Sequence, residues 1–370
     1  MEFKLNSREL EKVLSKLILA IPQRSPIPTL ENFLFEVSEE QLTISATDMQ
    51  IYLTASIPVS SDGSKEMLIP GKFLYDIIRS LGDTQILFKV ENDKVKLKTD
   101  NGVYNLSSLE NDDYHKLPSF DKERAITFQG NVLKKCFDQT LFAVSKGEMG
   151  RAAMTGILME FNKDGLNFVA TDGHRLVKYT SLNQVTDIND QFIVPDKTIS
   201  IVSKLITDSQ VTVNFSKTNI LFEFNDIKLV SRLIGEKYPA YNSVIPLENE
   251  NKLKVNVKEL LSAVKRMLIF SSSSTSNQVK FAIQKDLLEI SSEDIDKGAN
   301  AVESLQCEYD GDPMVIGFNT SYVNDVLSHV NDKECIFKLH SPTKAAVIEQ
   351  IEKKEDEKLL MLLMPVRLNN

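Results

Sequence analysis

A motif that returns at domain spacing constrains this chain more than any other feature. Val169–Leu176 reads Val-Ala-Thr-Asp-Gly-His-Arg-Leu, and weaker echoes stand at Leu42-Thr-Ile-Ser-Ala-Thr-Asp48 and Leu288-Glu-Ile-Ser-Ser-Glu-Asp294. The aspartates Asp48, Asp172 and Asp294 are separated by 124 and 122 residues. Solenoid repeats run roughly 20–50 residues, so this period is that of a whole domain. The 370 residues, 42% of them hydrophobic, divide into three units that can each fill a core.

The units rhyme in their helices as well. Each opens on a segment whose apolar residues follow the i, i+3, i+4, i+7 spacing of one buried face. The first carries Leu10, Val13, Leu14, Leu17, Ile18 and Ile21, the second Leu133, Cys136, Phe137, Thr140, Leu141 and Val144. The third gives Val257, Leu260, Leu261, Val264 and Leu268, with Lys265 where an apolar residue is expected. Second helical patterns span Lys72–Leu81, Lys197–Ile206 and Thr320–Val330, each after a short apolar strand, and Pro70 and Pro195 stand just ahead of two of them. Short alternating runs such as Asn32–Val37, Gln41–Ala46, Gly156–Phe161 and Leu166–Ala170 read as antiparallel strands. The expected fold class is α+β, with two helices laid on strands in each of three repeated domains. Polar, proline-bearing stretches at Tyr114-His-Lys-Leu-Pro118 and Tyr238–Pro246 read as linkers and place the domains at 1–124, 125–250 and 251–370.

Charge has two faces here. The net charge of −9 argues against nucleic acid when taken as a sum. Distribution can override it: the helix faces opposite the apolar stripes carry Lys12, Lys16, Lys134, Lys135, Lys258, Lys265 and Arg266 from the first helices, and Lys72, Arg79, Lys197 and Lys204 from the second. Glu9, Glu11, Asp138 and Glu259 are mixed among them, and a solvated helix face is the alternative reading. Three widely spaced cysteines, Cys136, Cys307 and Cys335, read as free thiols, suggesting neither a disulfide framework nor a zinc site. The longest apolar runs are too short for a bilayer and the N-terminus lacks the order of a signal peptide, so the expected compartment is the cytoplasm, without membrane association.

Asp172 and His174 invite an enzymatic reading, since a carboxylate and an imidazole can belong to a proton relay. No third group, nucleophile elbow, Walker loop, dinucleotide turn or zinc-protease motif accompanies them, and no cofactor is implied. The competing reading is a turn in which the aspartate bonds nearby backbone amides and Gly173 adopts a positive φ. Asp48 and Asp294 recur without a histidine two residues on, as expected of a structural device used three times.

The three-fold repeat, Ala170-Thr-Asp-Gly-His-Arg-Leu176 and the ending Met364-Pro-Val-Arg-Leu368 together resemble the bacterial DNA polymerase III β subunit family, the sliding clamps. The resemblance covers essentially the whole chain. It implies a head-to-tail homodimer, in which two chains of three clamp domains form a closed ring around duplex DNA, helices lining the hole and strands forming the wall. A ring that holds phosphates without reading bases stays mobile. The implied partners are double-stranded DNA bound without regard to sequence, the replicative polymerase, a clamp-loading ATPase, and other replication and repair proteins carrying a clamp-binding motif. The resemblance also implies a non-enzymatic role; a scaffold that binds partners but not DNA is the alternative.

Residue by residue, the family's peptide pocket falls on Met154, Thr171, Gly173, His174, Arg175, Leu176, Pro239 and Val244, and on Leu362, Leu363, Met364, Pro365, Val366 and Arg367. Leucine, methionine, valine and proline suit an apolar peptide anchor, and Arg175 and Arg367 are expected at the rim, holding carbonyls or carboxylates. Met154 stands where leucine is frequent, Asn369 and Asn370 extend the usual terminus, and Tyr241, Ser243 and Ala345 are rim positions of open polarity. The resemblance adds Arg24 and Arg151 as loop contacts to DNA. It places the dimer interface at an edge strand around Tyr104 and Leu106, opposite Ile269 and Phe270. The serine run Ser271–Ser274 reads as a surface loop rather than a phosphate cradle.

Overall fold

The computed structural model describes residues 1–109, 114, 124–147, 151–163, 165–182, 186–271, 277–352 and 354–368. Asn369, Asn370, most of the serine run and residues 115–118 of the first linker lie outside the described residues. Six α-helices occur among those described: α1 (Ser7–Leu17), α2 (Gly71–Ser80), α3 (Gly130–Asp138), α4 (Asp196–Leu205), α5 (Val257–Met267) and α6 (Thr320–Ser328). The helical periodicity therefore located all six, with ends displaced by a few residues.

Local chemistry explains where these helices begin. Asn6, Asn256 and Asn319 cap α1, α5 and α6, each side-chain oxygen accepting from a backbone amide of the first turn, a contact whose loss costs about 1 kcal/mol. The repeats do not open on helices, however. A short strand precedes each first helix, at Glu2–Asn6, Ala125–Gln129 and Asn251–Asn256. On α5 the buried stripe is Val257, Leu260, Ala263, Val264 and Met267. Counting Leu261 and Leu268 in place of the small Ala263 and of Met267 had put Lys265 on the stripe; it is exposed.

The chain forms two compact units that run out of phase with the repeats. The first comprises Met1–Lys134 with Lys197–Leu233, the second Lys135–Asp196 with Ile234–Asn370. In the first, an eight-stranded sheet runs in the order Lys65–Pro70, Asn32–Val37, Gln41–Thr47, Ile51–Pro58, Ile227–Arg232, Asn219–Phe224, Gln210–Phe215, Ala125–Gln129. Strands of the first and middle repeats meet where Ile51–Pro58 pairs antiparallel with Ile227–Arg232, in the register Ala55 to Ile227 and Ile51 to Ser231. A separate four-stranded sheet holds Glu2–Asn6, Gln85–Glu91, Lys94–Lys98 and Val103–Ser107, the last at its edge. α1 and α2 pack together in this unit, and Phe3, Phe33, Phe35 and Phe88 fill its core.

The second unit repeats the device. Arg175–Ser181 of the middle repeat pairs with Glu357–Leu363 of the third, in the register Ser181 to Glu357 and Arg175 to Leu363. This junction lies within a twelve-stranded sheet. Tyr114 and Tyr238, at corresponding linker positions, donate their hydroxyls to the carbonyls of Ser45 and Val169 at 3.3 Å in each case, and each spans 69 residues of sequence. Equivalent tyrosines thus tie equivalent strands. No helix of the described residues is long and apolar enough to cross a membrane.

Candidate peptide and nucleic-acid interfaces

The recurrent aspartates are turn residues in all three repeats. Asp48 Oδ1 accepts from the amides of Gln50 and Ile51 at 3.0 and 2.8 Å, and Asp172 Oδ1 from those of His174 and Arg175 at 2.9 and 3.0 Å. Asp294 Oδ1 accepts from the Lys297 amide at 3.2 Å. The turn needs a left-handed residue after the aspartate in the first two repeats: Gly173 has φ +87°, and Met49 takes φ +73° at the matching place. That conformation costs a side chain roughly 1 kcal/mol. The Asp172 carboxylate is therefore spent on backbone amides and on Arg175, not on the His174 imidazole, whose ring lies 6.0 Å from that of Tyr322.

The residues expected at the peptide site all belong to the second unit. Leu176 faces Leu362 across the strand pair, and both belong to a buried cluster with Ala153, Tyr238, Tyr241 and Ala345. Thr171 and Leu363 are buried beside them. The Thr171 hydroxyl donates to the Arg175 carbonyl at 2.7 Å and accepts from the Gly173 amide at 3.1 Å. Of the expected residues, Gly173, His174, Val244, Met364 and Arg367 are exposed, and Met154, Pro239, Pro365 and Val366 are half-buried. Met364 is tied down by its amide, which donates to the His174 carbonyl at 2.8 Å, and Val366 bridges to Gly317. Of the open rim positions, Tyr241 is buried with its hydroxyl on Glu160 at 2.5 Å, Ala345 is buried, and Ser243 is exposed.

Arg175 departs from expectation. Its side chain is only 8% exposed, with Nε on Asp172 at 3.1 Å and Nη1 on Asp325 at 2.5 Å. The guanidinium lies 4.6 Å from the centre of the Tyr322 ring and 5.5 Å from that of Phe142. It is an internal key, not a rim donor. Asp325, Phe142 and Tyr322 had no signal in the sequence, because neither the repeat nor any motif marks them.

At the other end of the strand pair, opposite Ser181, Glu357 accepts from Lys135, Tyr179 and, at 2.9 Å, Lys354. Burial alone would raise this carboxyl, but the three hydrogen bonds outweigh it and hold the pKa at about 2. A carboxyl depressed below its ordinary value of 4.5 adds stability above that pH and loses it as pH falls toward 2. Acid unfolding of the wild type should therefore include a loss of about 2 kcal/mol between pH 6 and pH 3, absent in Glu357→Gln, as read from denaturant midpoints at the two values.

The basic residues divide into two groups. Lys12, Lys72, Arg79, Lys204, Lys258 and Lys265 are exposed on their helices, Lys16 is half-buried, and Arg24 and Arg151 are exposed in loops. Lys134 reaches Ser203 at 3.1 Å. Three others are engaged in ion pairs: Lys135 with Glu357, Lys197 with Asp48, and Arg266 in a fork on Glu303 at 2.6 Å. Lys135 and Lys197 each make their ion pair within their own unit.

At the expected interface, Ile269 is 71% exposed and Phe270 half-buried, so neither is a core residue. On the opposite side, exposure alternates along the strand. Tyr104 and Leu106 share the inner face, Leu106 at 4% exposure, whereas Val103, on the outer face, is 53% exposed. The three cysteines are free thiols, and among the described residues no group of three or more potential ligands is arranged to hold a metal.

Three consecutive repeats, each pairing helices with antiparallel sheet, define a protein of the DNA-clamp class. Family models for the DNA polymerase III beta subunit match its N-terminal domain at 1–118, its central domain at 127–240 and its C-terminal domain at 242–367. The chain belongs to the DNA polymerase III beta subunit family, the sliding clamps. It is 27% identical over 379 aligned positions to the beta sliding clamp of Staphylococcus epidermidis, with 99% of each chain covered. The crystal structure of the DNA polymerase III subunit beta from Pseudomonas aeruginosa matches with a TM-score of 0.93 at 27% identity, covering 100% of both chains. The DNA polymerase sliding clamp of Bacillus subtilis, 24% identical with 100% of both chains covered, shares the fold at a TM-score of 0.93.

Proposed function

We propose that two copies of this chain close head to tail into a ring around duplex DNA and tether the replicative polymerase through the surface around His174 and Met364. The observation that carries this reading is the unfinished pairing of the sheets. The second sheet of the first repeat is continued by the last strand of the middle repeat, and the second sheet of the middle repeat by the last strand of the third. By the same rule, Ala299–Gln306 in the third repeat, paired on one side only with Leu287–Asp294 while residues 307–309 also pair with residues 253–255, calls for Val103–Ser107, which lies at a sheet edge in the first. Pairing these edges between two copies satisfies both, and such a heterologous contact closes when its rotation does.

Charge and shape support that junction. Lys94, Lys96 and Lys98 are exposed on the strand beside Val103–Ser107, while Glu289, Glu293 and Asp296 are exposed beside Ala299–Tyr309. Val103 and Val302, 53% and 58% exposed, stand on the two edges to be joined. Complementary charge steers such encounters and weakens them at high salt.

The exposed helix lysines would hold phosphates without reading bases. Reversing Lys12, Lys204 and Lys265 together to glutamate should weaken DNA binding and lower the slope of log affinity against log salt by about three, one for each contact. Polymerase binding should stay intact. An unchanged salt slope would remove these helices from the DNA site. Encirclement itself is tested by topology, because a ring remains on closed circular DNA and slides from linear ends; equal loss from both would favour a scaffold that does not encircle DNA. A closed ring cannot thread onto DNA without ends, so a loading ATPase is part of this reading, as is residence in the cytoplasm with the replicating DNA. Other motif-bearing proteins would compete for the same site, and the ring's part is mechanical, not catalytic.

A further inference from the structure

We infer that Asp325 and Phe142 are positioning residues for the peptide site, acting through Arg175. This rests on the peptide-site reading above and extends it to residues that do not line the surface.

Two ring faces and two carboxylates surround the guanidinium. Tyr322 of α6 and Phe142, in the turn after α3, lie 4.6 and 5.5 Å from it, and Asp325 of α6 takes Nη1 at 2.5 Å. Phe142 is itself stacked on His329, with ring centres 3.9 Å apart. The His329 Nδ1 lies 2.7 Å from the Asp325 carbonyl, so one helix turn fixes both the carboxylate and the ring that backs Phe142. Such a site suits arginine, whose planar fork accepts stacking and two directed hydrogen bonds at once.

The other end of Arg175 leads to the surface. Its Nε is held by Asp172, and the same carboxylate binds the amides of His174 and Arg175, setting the tip of the turn. The His174 carbonyl then receives the Met364 amide at 2.8 Å. A continuous chain of hydrogen bonds therefore runs from Asp325, through Arg175, Asp172 and the His174 turn, to the backbone of Met364 at the rim. Removing the Asp325 charge leaves a buried cation with one partner fewer, which lets the turn and the Met364 rim shift without opening the apolar core below.

The test measures binding of the replicative polymerase's catalytic subunit to full-length dimer by surface plasmon resonance. Asp325→Asn, which keeps the shape and removes the charge, should weaken binding roughly 10-fold, and Phe142→Leu should weaken it in the same direction. Asp325→Glu should recover part of the loss. Thermal midpoint should fall by only a few degrees for the loss of one buried partner, and dimer mass and retention on circular DNA should not change. A larger, parallel fall in midpoint and affinity, with no recovery by glutamate, would reduce the pair to a general structural role and overturn the inference. Removal of Met364–Asn370 separates the two readings. Should that deletion leave polymerase affinity intact, the peptide-site reading itself fails. Should it abolish binding while the Asp325 and Phe142 variants bind normally, the site stands and the positioning role is lost.

Discussion

Ile269→Asp should split the dimer into monomers of 41.7 kDa at concentrations where the wild type sediments at twice that mass. The side chain is 71% exposed in the single chain, so the substitution spares the core and its fold. In the proposed junction it becomes a desolvated apolar anchor, and a carboxylate placed there meets both lost packing and charge burial. Central anchors of this kind are worth about 3 kcal/mol, a roughly 100-fold rise in the dimer constant. Sedimentation equilibrium over a concentration series reads the constant directly. Retention on circular DNA should vanish in the same variant, since an open ring has no topological hold. A dimer of unaltered affinity would place Ile269 outside the interface and leave the open strand edges to explain themselves otherwise.

Deleting Met364–Asn370 should lower polymerase affinity at least about 100-fold while the dimer mass stays the same. The residues removed supply Met364, Pro365, Val366 and Arg367 of the proposed site, and two ties to the body of the unit: the Met364 amide on His174 and the Val366 bridge to Gly317. The strand Glu357–Leu363, which carries the sheet junction, remains in place with its register to Arg175–Ser181. Polymerase binding by surface plasmon resonance, with thermal melting alongside, separates a lost site from a lost fold. Persistence of binding at wild-type affinity would refute the site.

What could be read from the sequence was whatever is local. The turn role of Asp48, Asp172 and Asp294 follows from a side chain bonding amides two or three residues on, and the helices from a 3.6-residue period. Strands such as Ile51–Pro58 and Arg175–Ser181 escaped because they follow turns whose residues also suit loops. The buried state of Arg175 was hidden for a different reason. Its carboxylate partner Asp325 lies 150 residues away, and nothing in Thr-Asp-Gly-His-Arg-Leu distinguishes a guanidinium pointing outward from one locked between rings. Exposure along an edge strand is likewise hidden until the fold is known: adjacent residues face opposite ways, so Val103 is exposed and Leu106 buried on the same strand.

The division of the middle repeat between two compact units has a consequence for how such a chain can be taken apart. The unit of duplication is not the unit of folding. A middle repeat excised at its sequence boundaries would carry away Arg175–Ser181 and Ile227–Arg232 without their partners from the neighbouring repeats, presenting two raw strand edges, the usual seed of aggregation. Fragments cut in phase with the sheets would instead keep every junction closed, at the expense of splitting one ancestral repeat in two. Because neighbouring repeats share sheets in this way, a repeat cut out alone loses each junction it takes part in.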